Sequence, residues 1–189
     1  MPRLFTAIEL PEEVRAELHR LHIPLPGARW LKQEDYHITL RFAGDIENAV
    51  AREFAANLAA IDADAFELRI AGVGAFGGND PRIVFAQVEA SPALEVLAKA
   101  HEKAARNAGL PAEKYPFKPH VTLARLRNSN AAAVARYLSR FSGYRSEPIF
   151  ASQFVLMSSK PGTGGGPYGV VESFPLRGGY SLEDAERAW

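Results

Sequence analysis

The sequence predicts an α+β fold of two duplicated lobes, each an antiparallel sheet with helices outside, facing each other across a central cleft. Three observations predict it. The strand-like segment Arg82–Glu89 echoes Arg3–Glu9. Strand and helix signals follow both segments in the same order. The pattern His-x-Thr-Leu occurs twice, as His37-Ile38-Thr39-Leu40 and His120-Val121-Thr122-Leu123. A unit of about 80 residues is too long for a solenoid repeat and suits lobes related by a pseudo-twofold axis. The 189 residues are read as one bilobal domain with pseudo-repeats over about 1–75 and 80–176.

Each element has a local reason. Leu4–Leu10 alternates and ends at a proline, as a strand does. Pro11 opens a helix whose Glu12 and Glu13 suit its positive end. Val14, Leu18 and Leu21 keep helical spacing. A turn over Pro24–Gly27 leads to a short strand at Ala28–Leu31, then the strand His37–Ala43. A helix over about Ile46–Ala60 and a strand over Phe66–Val73 close the first unit. Gly72–Asp80 is the connector and is not expected to be flexible. After Arg82–Glu89, Ser91 caps a helix with Pro92 at its first position. Leu94, Leu97 and His101 share a face of it, and Gly109 stops it. The strand His120–Leu126, a helix over about Asn130–Phe141 and a strand over Ile149–Met157 follow. The glycine-rich Pro161–Pro167 reads as a hairpin turn into the strand Tyr168–Leu176. It lacks the lysine and helix start of a phosphate-binding loop. Ser181–Trp189 reads as a short helix.

Composition narrows the chemistry. The 22 basic and 22 acidic residues balance, so any anion site must be local. With no cysteine, disulfides, zinc–thiolate sites and thiol nucleophiles are excluded. The start lacks the apolar run of a signal peptide, and no stretch approaches the roughly 20 apolar residues of a membrane span. The chain is read as cytoplasmic.

The chain has five histidines and four threonines, and random placement gives on the order of 0.1 His-x-Thr pairs. Side chains alternate along a strand, so His37 and Thr39 share one face while Ile38 and Leu40 face a core. The same holds for His120 and Thr122. Two such strands facing each other put imidazoles on both sides of a phosphate, with hydroxyls for its free oxygens. That suffices for acid–base displacement at phosphorus, because imidazole titrates near neutral pH. Developing charge needs a cation. Arg125 is the first candidate, although strict alternation turns it away unless a bulge intervenes. Arg41 has the parity of His37 and is the second. No acidic cluster suits a metal, and none is required. Asp35 is a single carboxylate beside His37, able to orient a ring or cap a turn. His19, His22 and His101 lie on helices without metal spacing and read as structural.

These residues resemble the two-histidine (2H) phosphoesterases, and within them the RNA 2′,3′-cyclic phosphodiesterases, also called 2′-5′ RNA ligases. The likeness extends to Arg3-Leu4-Phe5, Ala7–Pro11, Arg29-Trp30, Arg41-Phe42, Gly44, Gly72–Phe76, Phe117–Pro119, Ala124-Arg125 and Phe174–Leu176. It implies a bilobal fold and metal-free hydrolysis of a terminal ribose 2′,3′-cyclic phosphate to a 2′-phosphate. By that resemblance His37 protonates the leaving O3′ and His120 activates water. Thr39, Thr122 and Arg125 hold the phosphate. Many relatives carry an apolar residue where Arg41 stands, so Arg41 is either a phosphate contact or a solvated strand residue.

The expected partner is an RNA 3′ end or oligonucleotide bearing a cyclic phosphate, with no cofactor, membrane or obligate protein partner, and a monomer as the acting unit. Lys32, Arg41, Lys114, Lys118, Arg125 and Arg127 flank the motifs and would make the cleft basic. Phe42 and Phe76 are the candidate stacking rings, with core packing as the alternative. The reverse reaction would join a 5′-OH end through a 2′-5′ bond, and water at about 55 M favours hydrolysis. A cyclic mononucleotide is a further candidate substrate. A non-catalytic RNA-end binding module is the competing reading.

Overall fold

Helix ends fall where short-range chemistry puts them. The Ser91 hydroxyl accepts the Leu94 N–H at 3.2 Å, and Asn130 Oδ1 accepts those of Ala132 and Ala133 at 2.8 and 3.2 Å. Gly109, at φ 96°, ends the helix before it in the left-handed region. The computed structural model describes residues 3–159 and 168–179. The glycine-rich turn and the C-terminal helix expected from sequence lie outside them.

In chain order the elements are β1 (Arg3–Glu9), α1 (Glu12–His19), β2 (Ala28–Trp30), β3 (His37–Asp45), α2 (Asn48–Ala59), β4 (Phe66–Leu68) and β5 (Ile70–Phe76). They continue with β6 (Ile83–Val88), α3 (Pro92–Asn107), β7 (His120–Leu126), α4 (Ala131–Phe141), β8 (Ile149–Ala151), β9 (Gln153–Ser159) and β10 (Tyr168–Pro175). Two single strands expected from sequence are each divided. Phe66–Val73 breaks at Arg69 into β4 and β5, and Ile149–Met157 breaks at Ser152 into β8 and β9. The short pieces pair with each other, while the long ones enter the large sheets. Both breaks fall on a polar residue, Arg69 or Ser152, but a single polar residue within a strand does not show that the strand changes partner there. Most of the expected connector Gly72–Asp80 is strand β5.

The fold is α+β. One four-stranded antiparallel sheet has the order β10-β9-β1-β3, and the other β2-β7-β6-β5. The strands are not shared out by halves of the chain. β5 pairs with β6, while β9 pairs with β1 and carries β10 on its other edge, so each half sends late strands into the sheet holding the other half's histidine strand. β2 likewise crosses over to pair with β7. Helices follow: α3 packs on β3 and α2, and α4 packs on β5. Tyr137 Oη on α4 donates to the Leu21 carbonyl at 2.8 Å, tying the end of α1 to the same side. One apolar core runs beneath both sheets, through Leu18, Ile38, Phe54, Leu94, Leu123 and Phe154. Among the described residues no helix is long and apolar enough to cross a membrane.

Candidate active site

The site is made where β3 approaches β7. Both strands carry a bulge just after the motif. In β3, Ala7 pairs with Thr39 and Thr6 with Arg41, leaving Leu40 as the extra residue. In β7, Phe85 pairs with Thr122 and Val84 with Ala124, leaving Leu123 extra. A bulge inverts the parity of everything beyond it. Arg125 is therefore brought onto the face of His120 and Thr122, as the phosphate role requires. In β3 the equivalent shift puts Phe42 on the face of His37 and Thr39, and turns Arg41 to the other side.

The parity that set Arg41 beside His37 is thus broken, and Arg41 is neither a phosphate contact nor a solvated residue. It is 8% exposed, with Nε 2.6 Å from Glu102 Oε2 and one terminal nitrogen donating to the Pro111 carbonyl at 2.6 Å. The other donates to the Phe42 carbonyl at 2.5 Å. Glu102 in turn accepts the Glu113 N–H at 3.0 Å. This network pins the segment from Pro111 toward Lys118 against α3.

Both histidines are oriented in the same way. His37 Nδ1 lies 2.7 Å from the Asp35 carbonyl, and His120 Nδ1 lies 2.6 Å from the Lys118 carbonyl. A carbonyl only accepts, so each Nδ1 carries its proton and Nε2 is the nitrogen that titrates. It is the main-chain carbonyl of Asp35, not its carboxylate, that orients the His37 ring. His37 Nε2 lies 3.1 Å from Thr39 Oγ1. Phe5 and Tyr168 pack on the His37 ring at centroid distances of 5.0 and 5.3 Å. Phe76 and Phe85 flank His120 at 5.0 and 5.3 Å.

Burial lowers the His37 pKa, the Asp35 carbonyl bond raises it, and the charge of His120 lowers it further. The strands that carry the two rings, 83 positions apart in sequence, are in contact, so the charge of one reaches the other. Burial also lowers His120, against the opposing Lys118 carbonyl bond.

Two pockets open here. One of about 330 Å³ is lined by His37, Thr39, Thr122, Arg125, Arg3 and Ser159, with Phe42 and Tyr168 at its walls. A larger one of about 570 Å³ is lined by His120 and by the segment that Arg41 pins. Phe42, 47% exposed, borders both, with the Arg3 guanidinium 5.6 Å from its ring centre. Phe76 borders neither. It stacks on Phe85 at 4.3 Å and supports the His120 ring. Of the expected basic flank, Arg41, Lys118 and Arg125 line a pocket, and Lys32, Lys114 and Arg127 line neither. Arg29 pairs directly with Arg125 across the β2–β7 ladder, which places two cations side by side. His101 is buried under β1, away from both pockets. Among the described residues no group of three or more acidic or histidine side chains could hold a metal ion. Arg3, Ser159 and Tyr168 come from strands remote in sequence, so no local pattern marks them.

The two adjoining pockets gather an imidazole from each four-stranded sheet, two threonine hydroxyls and Arg125, a set able to hold a phosphate ester. The profile of the 2′-5′ RNA ligase superfamily matches residues 10–151, and the chain belongs to that family. It is 34% identical to an RNA 2′,3′-cyclic phosphodiesterase of Thermus thermophilus, over 97% of this chain and 95% of that one. It is 31% identical to the Geobacillus stearothermophilus protein of the same name, over 92% of this chain, but spans only 57% of that relative's length. A Thermus thermophilus crystal structure superposes with a TM-score of 0.77 at 30% identity, covering 94% of this chain and all of that one.

Proposed function

We propose that this chain, an enzyme of the phosphoric diester hydrolase class, opens the 2′,3′-cyclic phosphate at an RNA 3′ end to a 2′-phosphate. It does so by two-histidine acid–base catalysis without a metal. One observation carries the reading: the two imidazoles, from different sheets, have their Nδ1 atoms committed to carbonyls two residues back. Each Nε2 is thereby the nitrogen left to exchange protons; His37 shares a pocket with Thr39, Thr122 and Arg125, and His120 lines the adjoining pocket, which Thr39 also borders. The names of the relatives supply the substrate.

The cyclic phosphate sits between the rings. Neutral His120 takes the proton of the attacking water, and protonated His37 gives one to O3′ as the P–O3′ bond breaks. Thr39 and Thr122 hydrogen-bond the non-bridging oxygens, and Arg125 with its neighbour Arg29 offsets the charge that builds on them. The acting unit is a monomer, because one chain supplies every group named.

An oligoribonucleotide ending in 2′,3′-cyclic phosphate, incubated with the protein and EDTA, is expected to yield the 2′-phosphate. His37→Ala and His120→Ala are each expected to slow this by about 10²–10⁴, with unchanged circular dichroism. Binding without turnover would support the RNA-end module instead. Loss of activity in EDTA, restored by a divalent ion, would overturn the metal-free scheme.

A further inference from the structure

The two imidazoles are aimed by carbonyls with unequal support. The Asp35 carbonyl, which aims His37, belongs to a 3₁₀ turn over Gln33–Asp35. That turn is closed locally, by the Asp35 N–H on the Lys32 carbonyl at 3.0 Å and the Tyr36 N–H on the Gln33 carbonyl at 3.3 Å. The Lys118 carbonyl, which aims His120, ends an irregular strap over residues 111–118. Residues 111–116 are all exposed. Among the described residues, every hydrogen bond that ties 111–117 to another element comes from Arg41 or Glu102. Arg41 donates to the Pro111 carbonyl at 2.6 Å, and Glu102 accepts the Glu113 N–H at 3.0 Å. The Glu113 carboxylate lies a further 3.8 Å from the Arg41 guanidinium.

The strap passes on what its anchor fixes. Pro116 and Pro119 lock their own φ and hold the residue before each extended, which here means Tyr115 and Lys118 itself. A shift at Glu113 is therefore carried along the chain rather than absorbed. If the Lys118 carbonyl drifts, His120 Nδ1 loses its acceptor, and the proton can move to Nε2. In that tautomer Nε2 has no lone pair with which to take a proton.

We propose that Arg41 and Glu102 are positioning residues for His120: their ion pair anchors the strap, so that the Lys118 carbonyl keeps the His120 proton on Nδ1 and leaves Nε2 free as the base. The assignment rests on the hydrolase reading above, in which His120 is that base. Arg41 stands on β3, two residues past Thr39, and Glu102 stands on α3. The pair therefore also fixes the strand of His37 and Thr39 against the segment that aims the opposite histidine. Phe117 and Pro119, both half-buried, are the competing restraint on the Lys118 carbonyl. The ion pair supplies what they lack, a charged tie that reaches the exposed part of the strap.

The test pairs kinetics on a cyclic-phosphate oligoribonucleotide with ¹⁵N NMR of the histidine rings at a pH where both are neutral. Wild type is expected to show the Nδ1–H tautomer at His37 and His120. Glu102→Ala is expected to lower kcat about tenfold to a hundredfold, with KM within about twofold. Its His120 is expected to show a mixture of tautomers while His37 stays Nδ1–H. Glu102→Gln keeps an oxygen for the Glu113 N–H and is expected to recover most of the rate. Pro116→Gly loosens the strap beyond its anchor at an exposed position, so it leaves the core intact. It is expected to act in the same direction as Glu102→Ala, and it decides the matter if Glu102→Ala does not fold. An unchanged His120 tautomer in the folded variants overturns the proposal, whatever happens to the rate. So does an equal disturbance at His37, or a loss confined to KM. Failure of the hydrolase reading is seen separately, as wild-type protein that leaves the cyclic phosphate intact.

Discussion

At His37 and His120, burial pulls both imidazoles below the ordinary value near 6.5. In the proposed mechanism the active form holds one ring neutral and the other protonated. With both pKa values lowered, that form is most populated on the acid side of 6.5 and is lost as pH rises. The expected kcat/KM profile is therefore a bell with its maximum below pH 6.5. A phosphate anion between the rings favours their charged forms, so the kcat maximum is expected at higher pH than that of kcat/KM. Steady-state kinetics from pH 4.5 to 8.5 would show both. The four motif side chains were legible because strand alternation, a period of two, is written in the sequence itself. Their ring neighbours Phe5 and Tyr168 were not, because only the pairing of β1 and β10 with β9 brings them to His37.

The elements β3 and β7 are more than carriers of a tetrapeptide. Their matching bulges decide which later side chain reaches the cleft: Phe42 in one and Arg125 in the other. Sequence called for a bulge at Arg125 from chemistry alone, and could not see that its twin in β3 removes Arg41. A bulge adds one residue and leaves no compositional trace. Arg41 instead fastens β3 to α3 and to the wall of the larger pocket. Arg41→Ala strands the Phe42 and Pro111 carbonyls and leaves Glu102 without its cation. About 2–3 kcal/mol of stability is expected to be lost, measured by urea unfolding. The loss is kept moderate because the Glu102 side chain is 30% exposed and can be hydrated. Arg41→Lys is expected to recover only part, since an ammonium cannot match the guanidinium fork.

For the whole molecule, the buried His101 sets a limit toward acid. It is fully buried, its Nδ1 is 2.8 Å from Thr6 Oγ1, its Nε2 has no partner, and burial pushes its pKa down to about 3. In the unfolded chain it titrates near the ordinary value of about 6.5. The unfolded state therefore takes up a proton that the folded state refuses, and stability falls as pH drops from about 6.5 toward 3. This group accounts for about 2 kcal/mol of loss by pH 5. His101→Leu is expected to flatten the stability curve between pH 7 and 5 by that amount, read from urea midpoints at each pH. The α+β class with two antiparallel sheets was legible from the repeated motifs. The trading of strands between the halves was not, because β5 and β9 are apolar runs that suit either sheet equally.

That trading has a mechanical consequence. The small β4–β8 ladder is joined to one large sheet through the single residue Arg69 and to the other through the single residue Ser152. It rivets the two sheets together. Any swing of one sheet away from the other has to bend the backbone at these two joints, so the ladder resists widening of the gap. On the proposed function, an RNA terminus is expected to thread into it end-on, and a hairpin or duplex with no free overhang to be held outside, as a comparison of cleavage of the two substrates would show.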